Sequence, residues 1–329
     1  LSRLKFMATL LLLGTVLCAR AAENGARHLA AAAGETGVPR KGGTLRLAVS
    51  TEPPSFDPLQ LPSHDAATLV FLVFDTLHEV DGSGKFSPVL TESLPDVSPD
   101  FLTYTFRLRR GVRFSNGREL TADDVVFSFE RGCDPTSVAS LSTSYFNIVG
   151  SDAFGTARAR EAEIRRNGTG HPLDARFIEP TQVTGLTAPD RYTFRLRLKS
   201  PDMTMMAFIA GIGILPRGEF SRPGLPFGSN PVGTGAFKLV EWRRGVRLRY
   251  EPNPYYYRAS DRHIDRVDVL ANIDITTQAM MFDRGETDLL TFFGDVDSWR
   301  WRRNPAMQDS LIIIKGASPS YIALNCELF

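Results

Sequence analysis

The chain has 329 residues, 43% hydrophobic and 23% charged, with 38 Lys and Arg against 37 Asp and Glu. That size and mixture allow two domains around a sizeable core, and a formal charge of +1 argues against a nucleic-acid surface, which usually shows as a basic excess clustered on one face. Of three cysteines, Cys18 lies in the leader, while Cys133 and Cys326 show no framework spacing and are read as two separate buried thiols.

Arg3 and Lys5 precede an apolar run from Phe6 to Leu17 that ends near Ala19-Arg20-Ala21. This is the layout of a secretory signal peptide over residues 1–21, too short to span a bilayer as a mature helix. Cys18 offers lipid anchoring as the alternative, against which Leu17 stands where such sites take a small residue. Residues 22–40, rich in Ala and Gly, read as a flexible tether.

Gly43 to Ser50 alternates Leu45, Leu47 and Val49 and reads as a strand. Asp65 to Leu77 has helical spacing and is expected to be the first helix, running into a Gly-rich turn over Glu79 to Gly84. Tyr104, Phe106 and Leu108 alternate with Thr105, Arg107 and Arg109 as a half-buried strand. Asn116-Gly117 supplies a tight turn. Thr121 then offers an N-cap oxygen, Asp123 and Asp124 suit a helix start, and Val125, Val126, Phe127 and Phe129 give that helix its apolar side.

Ala159 to Asn167 is a short charged helix candidate. Pro189 to Arg197 echoes Pro99 to Arg109, which predicts two similar strands of one sheet rather than a repeat. Met203 to Ile214 reads as a core segment. Gly235 to Tyr250 predicts a hairpin around Arg244-Gly245, and Ile264 to Leu270 another strand. Thr276 to Asp283 has helix character, and strands are expected at Leu311 to Ile314 and from Ser320 to Asn325. Strands and helices without strict alternation indicate a mixed α/β (α+β) fold.

Chemical motifs are sparse. Gly233-Thr234-Gly235 lacks the Lys-Ser/Thr of a P-loop and leads into a strand, so it reads as a structural turn. His28, His64, His78, His171 and His263 are scattered without metal spacing, so no metal and no cofactor is inferred. No Gly-x-Ser-x-Gly elbow supports a secreted hydrolase, and no catalytic residue is assigned.

The run from Tyr104 to Glu130 resembles the signature of the family 5 solute-binding proteins of ABC importers. Gly42-Gly43-Thr44-Leu45-Arg46 with Glu52-Pro53-Pro54-Ser55-Phe56-Asp57-Pro58 is similar to that family's opening strand and loop. Asn230 to Leu239, Pro252-Asn253-Pro254-Tyr255-Tyr256 and Gly285-Glu286-Thr287-Asp288 match three further blocks in the family's order. The resemblance implies a two-lobe, periplasmic-binding-protein-like fold of the peptide-binding class. Residues 41–79 and 218–270 would form lobe I, 80–217 an inserted subdomain, and 271–329 the start of lobe II. Because the family's second lobe is longer than residues 271–329, the resemblance implies a truncated lobe, with weak or no ligand binding for the sequence as it stands.

The implied function is capture of a small peptide between two lobes by an exported, periplasmic monomer that delivers it to an ABC permease, without enzymatic chemistry. The alternatives are a receptor for chelated nickel, haem or an oligosaccharide, a non-functional remnant, and last a secreted hydrolase. Ligands of two-lobe receptors are contacted by loops and strand ends. Three regions fit by position: Thr51, Glu52, Pro53 and Ser55; Ser142, Ser144 and Tyr145; and Val232 to Gly235, with Thr234 and Gly235 foremost. Tyr145 combines a stacking ring with a polar hydroxyl, and its bland reading is a core residue.

Overall fold

A computed structural model of the chain describes residues 41–61, 63–137, 143–167, 181–220, 227–290, 293–305 and 307. The expected signal peptide and tether, Cys18, Ser142, Cys326 and the strands expected after Leu311 lie outside the described residues.

Four strands build the main sheet in the order β1 (Thr44–Ala48), β10 (Arg266–Leu270), β9 (Arg247–Pro252) and β8 (Phe237–Arg243). β1 runs parallel to β10, with Leu45 opposite Val267 and Leu47 opposite Val269. β9 is antiparallel to both β10 and β8. The hairpin expected around Arg244-Gly245 is therefore present, turning on Gly245 at φ 73°. The inward sets Leu47 and Val49, Leu248 and Tyr250, and Val267 and Val269 pack with Phe56, Phe74 and the buried side of α1 (His64–Val70).

β10 leads into α7 (Ile275–Asp283), after which Leu289 forms a parallel bridge with Leu47 on the free edge of β1. Two parallel strands need such a crossover, and a helix commonly supplies it. Arg46 and Asp288 lock the returning segment through Nη2–Oδ1 at 2.6 Å and Nε–Oδ2 at 3.0 Å. The sheet's core thus continues beyond Ala271 to Leu289.

α1 is capped by Ser63, whose Oγ accepts from Ala66 N at 3.2 Å, and it stops at Val70 rather than at the expected Leu77. The reason is tertiary. Leu72 O accepts from Phe237 N at 3.1 Å, Val73 O from Gly235 N at 2.8 Å and Asp75 O from Ile214 N at 3.0 Å. Carbonyls committed to other segments in this way are not available to continue a helical ladder.

A second four-stranded sheet runs β4 (Asp96–Val97), β5 (Thr103–Arg107), β7 (Thr193–Arg197), β6 (Leu186–Asp190). The two strands that look alike in sequence are antiparallel neighbours, with Tyr104 opposite Leu196 and Phe106 opposite Phe194. α2 (Ala122–Cys133) covers them through Val125, Val126 and Phe129, the ring of Phe129 lying 5.1 Å from that of Phe194. Thr121 and Asp124 form a capping box, and Arg118 Nη2 donates to Asp124 Oδ1 at 2.6 Å. Helix-start stabilisation accounts for this carboxylate.

A small hairpin, β2 (His78–Val80) with β3 (Phe86–Pro88), joins the two sheets. Short α3 (Thr143–Phe146) precedes α4 (Ser151–Asn167), which starts well before the expected Ala159. Phe154, Ala157 and Glu161 are its buried stripe, and only one of them is a large hydrophobe. Met205 and Ile209 of α5 (Met205–Ile209), with Ile212 and Ile214, are buried, as expected of a core segment. Short α6 (Arg217–Phe220) completes this stretch.

Two hydrophobic clusters result. One gathers side chains from Leu77 to Ile214 around β5, the other from Leu47 to Phe74 and from Leu215 to Ala271 around β1. Val232 packs against both.

Candidate functional site

The loop after β1 is held by the β8–β9 hairpin. Trp242 Nε1 donates to Glu52 Oε2 at 2.9 Å, and Gly245 N donates to Glu52 Oε1 at 3.1 Å. Arg244 stacks 3.4 Å over the Trp242 ring and donates to Pro54 O at 3.0 Å and Pro53 O at 3.3 Å. Ser55 Oγ accepts from Asp57 N at 3.1 Å, and Phe56 N donates to Gly228 O at 2.9 Å. Both Glu52 oxygens are thereby engaged within the protein and Pro53 is buried, while Thr51 and Pro54 face solvent and Ser55 is half-buried. Trp242 and Arg244 were not singled out by sequence, although an aromatic and an arginine flanking a hairpin turn are a usable signal for such a clamp.

Tyr145 is 4% exposed and lies in the cluster around β5. Its ring meets Phe208 edge-on at 4.7 Å. A Cβ on Gly132 would come within 2.0 Å of that ring, so glycine is what admits it. Burial pushes the tyrosine hydroxyl well above its ordinary range and the neighbouring Cys133 thiol up to about 12. Ser144 is half-buried, and its carbonyl accepts from Asn147 N at 3.3 Å.

Thr234 is 0% exposed and Gly235 is buried. A Cβ on Gly233 would meet Val73 O at 2.0 Å, and one on Gly235 would meet the Val73 carbonyl carbon at 2.7 Å. Buried Asn253 fastens the same loop by donating from Nδ2 to Gly235 O at 2.9 Å. Gly233-Thr234-Gly235 is a close-packed strap over Val73. The segments 51–55 and 232–235 converge on one cluster through Phe56, Val232 and Ala236, whereas Tyr145 sits in the other.

The two clusters are pinned together between these segments by Arg131 of α2 and Asp57. Beside the strap lies Asp75, a carboxylate within the apolar run Val70 to Leu77. Its Oδ2 is enclosed, and burial raises its pKa to about 7. Away from all of these, Thr103, Thr105, Arg195 and Arg197 line a shallow depression of about 400 Å³ on the outer face of β5 and β7. Among the described residues, no three His, Cys, Asp or Glu side chains are grouped to hold a metal ion, and no helix is long and apolar enough to cross a membrane.

Residues 85–328 match the model of the bacterial extracellular solute-binding proteins, family 5 (middle). The chain belongs to this family. It is 30% identical over 262 residues to heme-binding protein A of Haemophilus influenzae, covering 75% of this chain and 42% of that protein. It is 26% identical over 247 residues to the periplasmic oligopeptide-binding protein OppA of the same organism, covering 73% and 42%. The crystal structure of that organism's OppA in complex with the peptide RPPGFSPFR superposes with a TM-score of 0.61 at 25% identity, over 74% of this chain and 45% of that one. AgaA of A. tumefaciens R10, in complex with agropinic acid, gives a TM-score of 0.64 at 25% identity, over 80% and 46%. The mixed α/β architecture is thus that of this group of binding proteins, and the chain spans less than half the length of these relatives. The family and these relatives are binding proteins rather than enzymes.

Proposed function

We propose that this chain serves an exported solute-binding protein of an ABC importer that captures peptides and hands them to a membrane permease. The family match over residues 85–328, joined to a fold shared with a protein crystallised around a peptide, carries this reading. Capture needs no bond making. Ligand stabilises the closed arrangement of two lobes by its differential affinity, and the closed form docks on the permease.

In this reading residues 41–79 and 218–270 form lobe I and 80–217 its inserted subdomain, in line with the two hydrophobic clusters. The parallel bridge of Leu47 with Leu289 supports extending lobe I through residue 289, so that lobe II starts later than residue 271. Thr51 and Ser55 would be the ligand-facing members of the site, since of its four opening-loop candidates Pro53 is buried and both Glu52 oxygens are engaged within the protein. Glu52, Pro53, Thr234 and Gly235 would shape it from behind, and Tyr145 would act through the packing of α2. A monomer working in the periplasm, without a nucleic-acid partner, completes the proposal.

A second reading is haem capture, favoured by the 30% identity to a heme-binding protein. Thermal unfolding of the protein produced from its own locus, with pooled di- to nonapeptides or with haem, separates the two. A melting temperature raised by peptides and not by haem supports peptide capture. A rise with haem alone supports the second reading, and no rise with either counts against both.

A further inference from the structure

The outer face of the second sheet carries a group of side chains that neither the core nor the proposed capture uses. Tyr104 and Phe106 of β5 and Phe194 and Leu196 of β7 are buried, so Thr103, Thr105, Arg195 and Arg197 alternate onto the opposite face. The register sets Thr103 directly opposite Arg197 and Thr105 directly opposite Arg195. These four side chains line one depression of about 400 Å³, with Leu102 and Asp100 at its border.

Arg195 and Arg197 are exposed, and among the described residues neither forms an ion pair or a hydrogen bond through its guanidinium. The two threonine hydroxyls are likewise uncommitted. Arg107, the other arginine on these strands, is different, because it pairs with Asp96 at 3.1 Å. The carboxylates beside the depression are already engaged. Asp96, opposite Thr105 on β4, is held by Arg107. Asp100 Oδ1 accepts from Ser98 Oγ at 2.5 Å and from Leu102 N at 3.1 Å, and Arg197 acts on it by charge alone.

Arg195 and Arg197 stand two positions apart on one strand face, roughly 7 Å along the strand, where like charges repel. An anion between them relieves that repulsion. Its class follows from the donors. Each guanidinium is a planar fork that meets two phosphate oxygens side by side, and each threonine adds one O–H. This set exceeds what the two oxygens of a carboxylate use. It suits a tetrahedral group with three terminal oxygens and nearly two negative charges at neutral pH. We propose that Thr103, Thr105, Arg195 and Arg197 form a surface site for a phosphate group, supplied as free phosphate or as the phosphomonoester headgroup of a lipid. The site is independent of which solute the protein captures.

Nuclear magnetic resonance on the full chain with isotope-labelled arginine tests this through the side-chain Nε–H signals. Inorganic phosphate, exchanged for chloride at constant ionic strength, should shift the Arg195 and Arg197 signals saturably and leave that of Arg107 in place. In Arg195→Gln the response of Arg197 should need about ten-fold more phosphate, as expected for loss of a charged hydrogen-bond donor. Thr105→Val, which keeps every charge, should weaken the affinity about five-fold, the worth of one neutral hydrogen bond. Cosedimentation with phosphatidylcholine vesicles, with and without phosphatidic acid, separates the two sources. Capture that requires phosphatidic acid and is lost in Arg195→Gln with Arg197→Gln supports the lipid headgroup. Saturable phosphate binding without capture supports free phosphate. Shifts that do not saturate, that chloride reproduces, or that Arg195→Gln and Thr105→Val leave unchanged overturn the proposal and make this a solvated strand face.

Discussion

Arg131 and Asp57 form a bidentate ion pair, Nη1 to Oδ1 at 2.9 Å and Nη2 to Oδ2 at 2.7 Å, between the helix that covers one sheet and the loop that leaves the other. Both side chains are largely buried, at 15% and 6% exposure. Removing one partner strands the other charge, at a cost of about 3–5 kcal/mol, whereas replacing both by apolar groups of similar size is often neutral. Asp57→Ala should therefore lose about that much stability, and Asp57→Leu with Arg131→Met should recover most of it. Urea unfolding of the two variants checks this, and equal losses would count against a pinning role.

Phe101 is exposed and holds φ at 57°, a left-handed conformation that a bulky side chain tolerates poorly. Phe101→Gly should raise stability by about 1 kcal/mol, the left-handed penalty less the extra entropy of a glycine. Chemical denaturation measures it directly, and a loss of stability would mean that the ring does more than its exposure suggests.

Gly233→Ala and Gly218→Ala form a matched pair. The first places a Cβ 2.0 Å from a backbone oxygen and the second meets nothing within 4 Å. The first should destabilise by several kcal/mol, in the range of severe core lesions, and the second by less than about 0.5 kcal/mol. Similar melting temperatures for the two would show that the strap yields.

Cys133 is buried and its thiol is pushed up to about 12. Since the thiolate is the reactive form, native protein at about pH 8 should leave this residue unalkylated by iodoacetamide, and protein in urea should modify it. Peptide mapping by mass spectrometry distinguishes Cys133 from Cys18 and Cys326.

Much of the fold is written locally. The run from Tyr104 to Glu130 carries its own strand, turn and cap, and Arg244-Gly245 its own hairpin, so both are readable without knowing their neighbours. The end of α1 is not, because the carbonyls of Leu72, Val73 and Asp75 are claimed by residues far along the chain. The first turns of α4 carry little periodic signal, because its buried stripe includes a small residue and a carboxylate. β6 is interrupted between Thr187 and Asp190, around a proline that has no N–H to donate. The candidate site was legible as segments rather than as surfaces. Residue type brings out Tyr145 and Thr234 as ligand candidates with a core residue and a structural turn as their other readings, and the structure buries both.

Solute capture is tested most directly by what the protein holds when it leaves the cell. Protein produced from its own locus is purified without denaturant, its mass is taken intact under native conditions, and the molecules it releases on acidification are identified by mass spectrometry. The account predicts adducts of peptide mass that disappear on denaturation and return when the released peptides are added back. An empty protein that also fails to take up peptides or haem would contradict it.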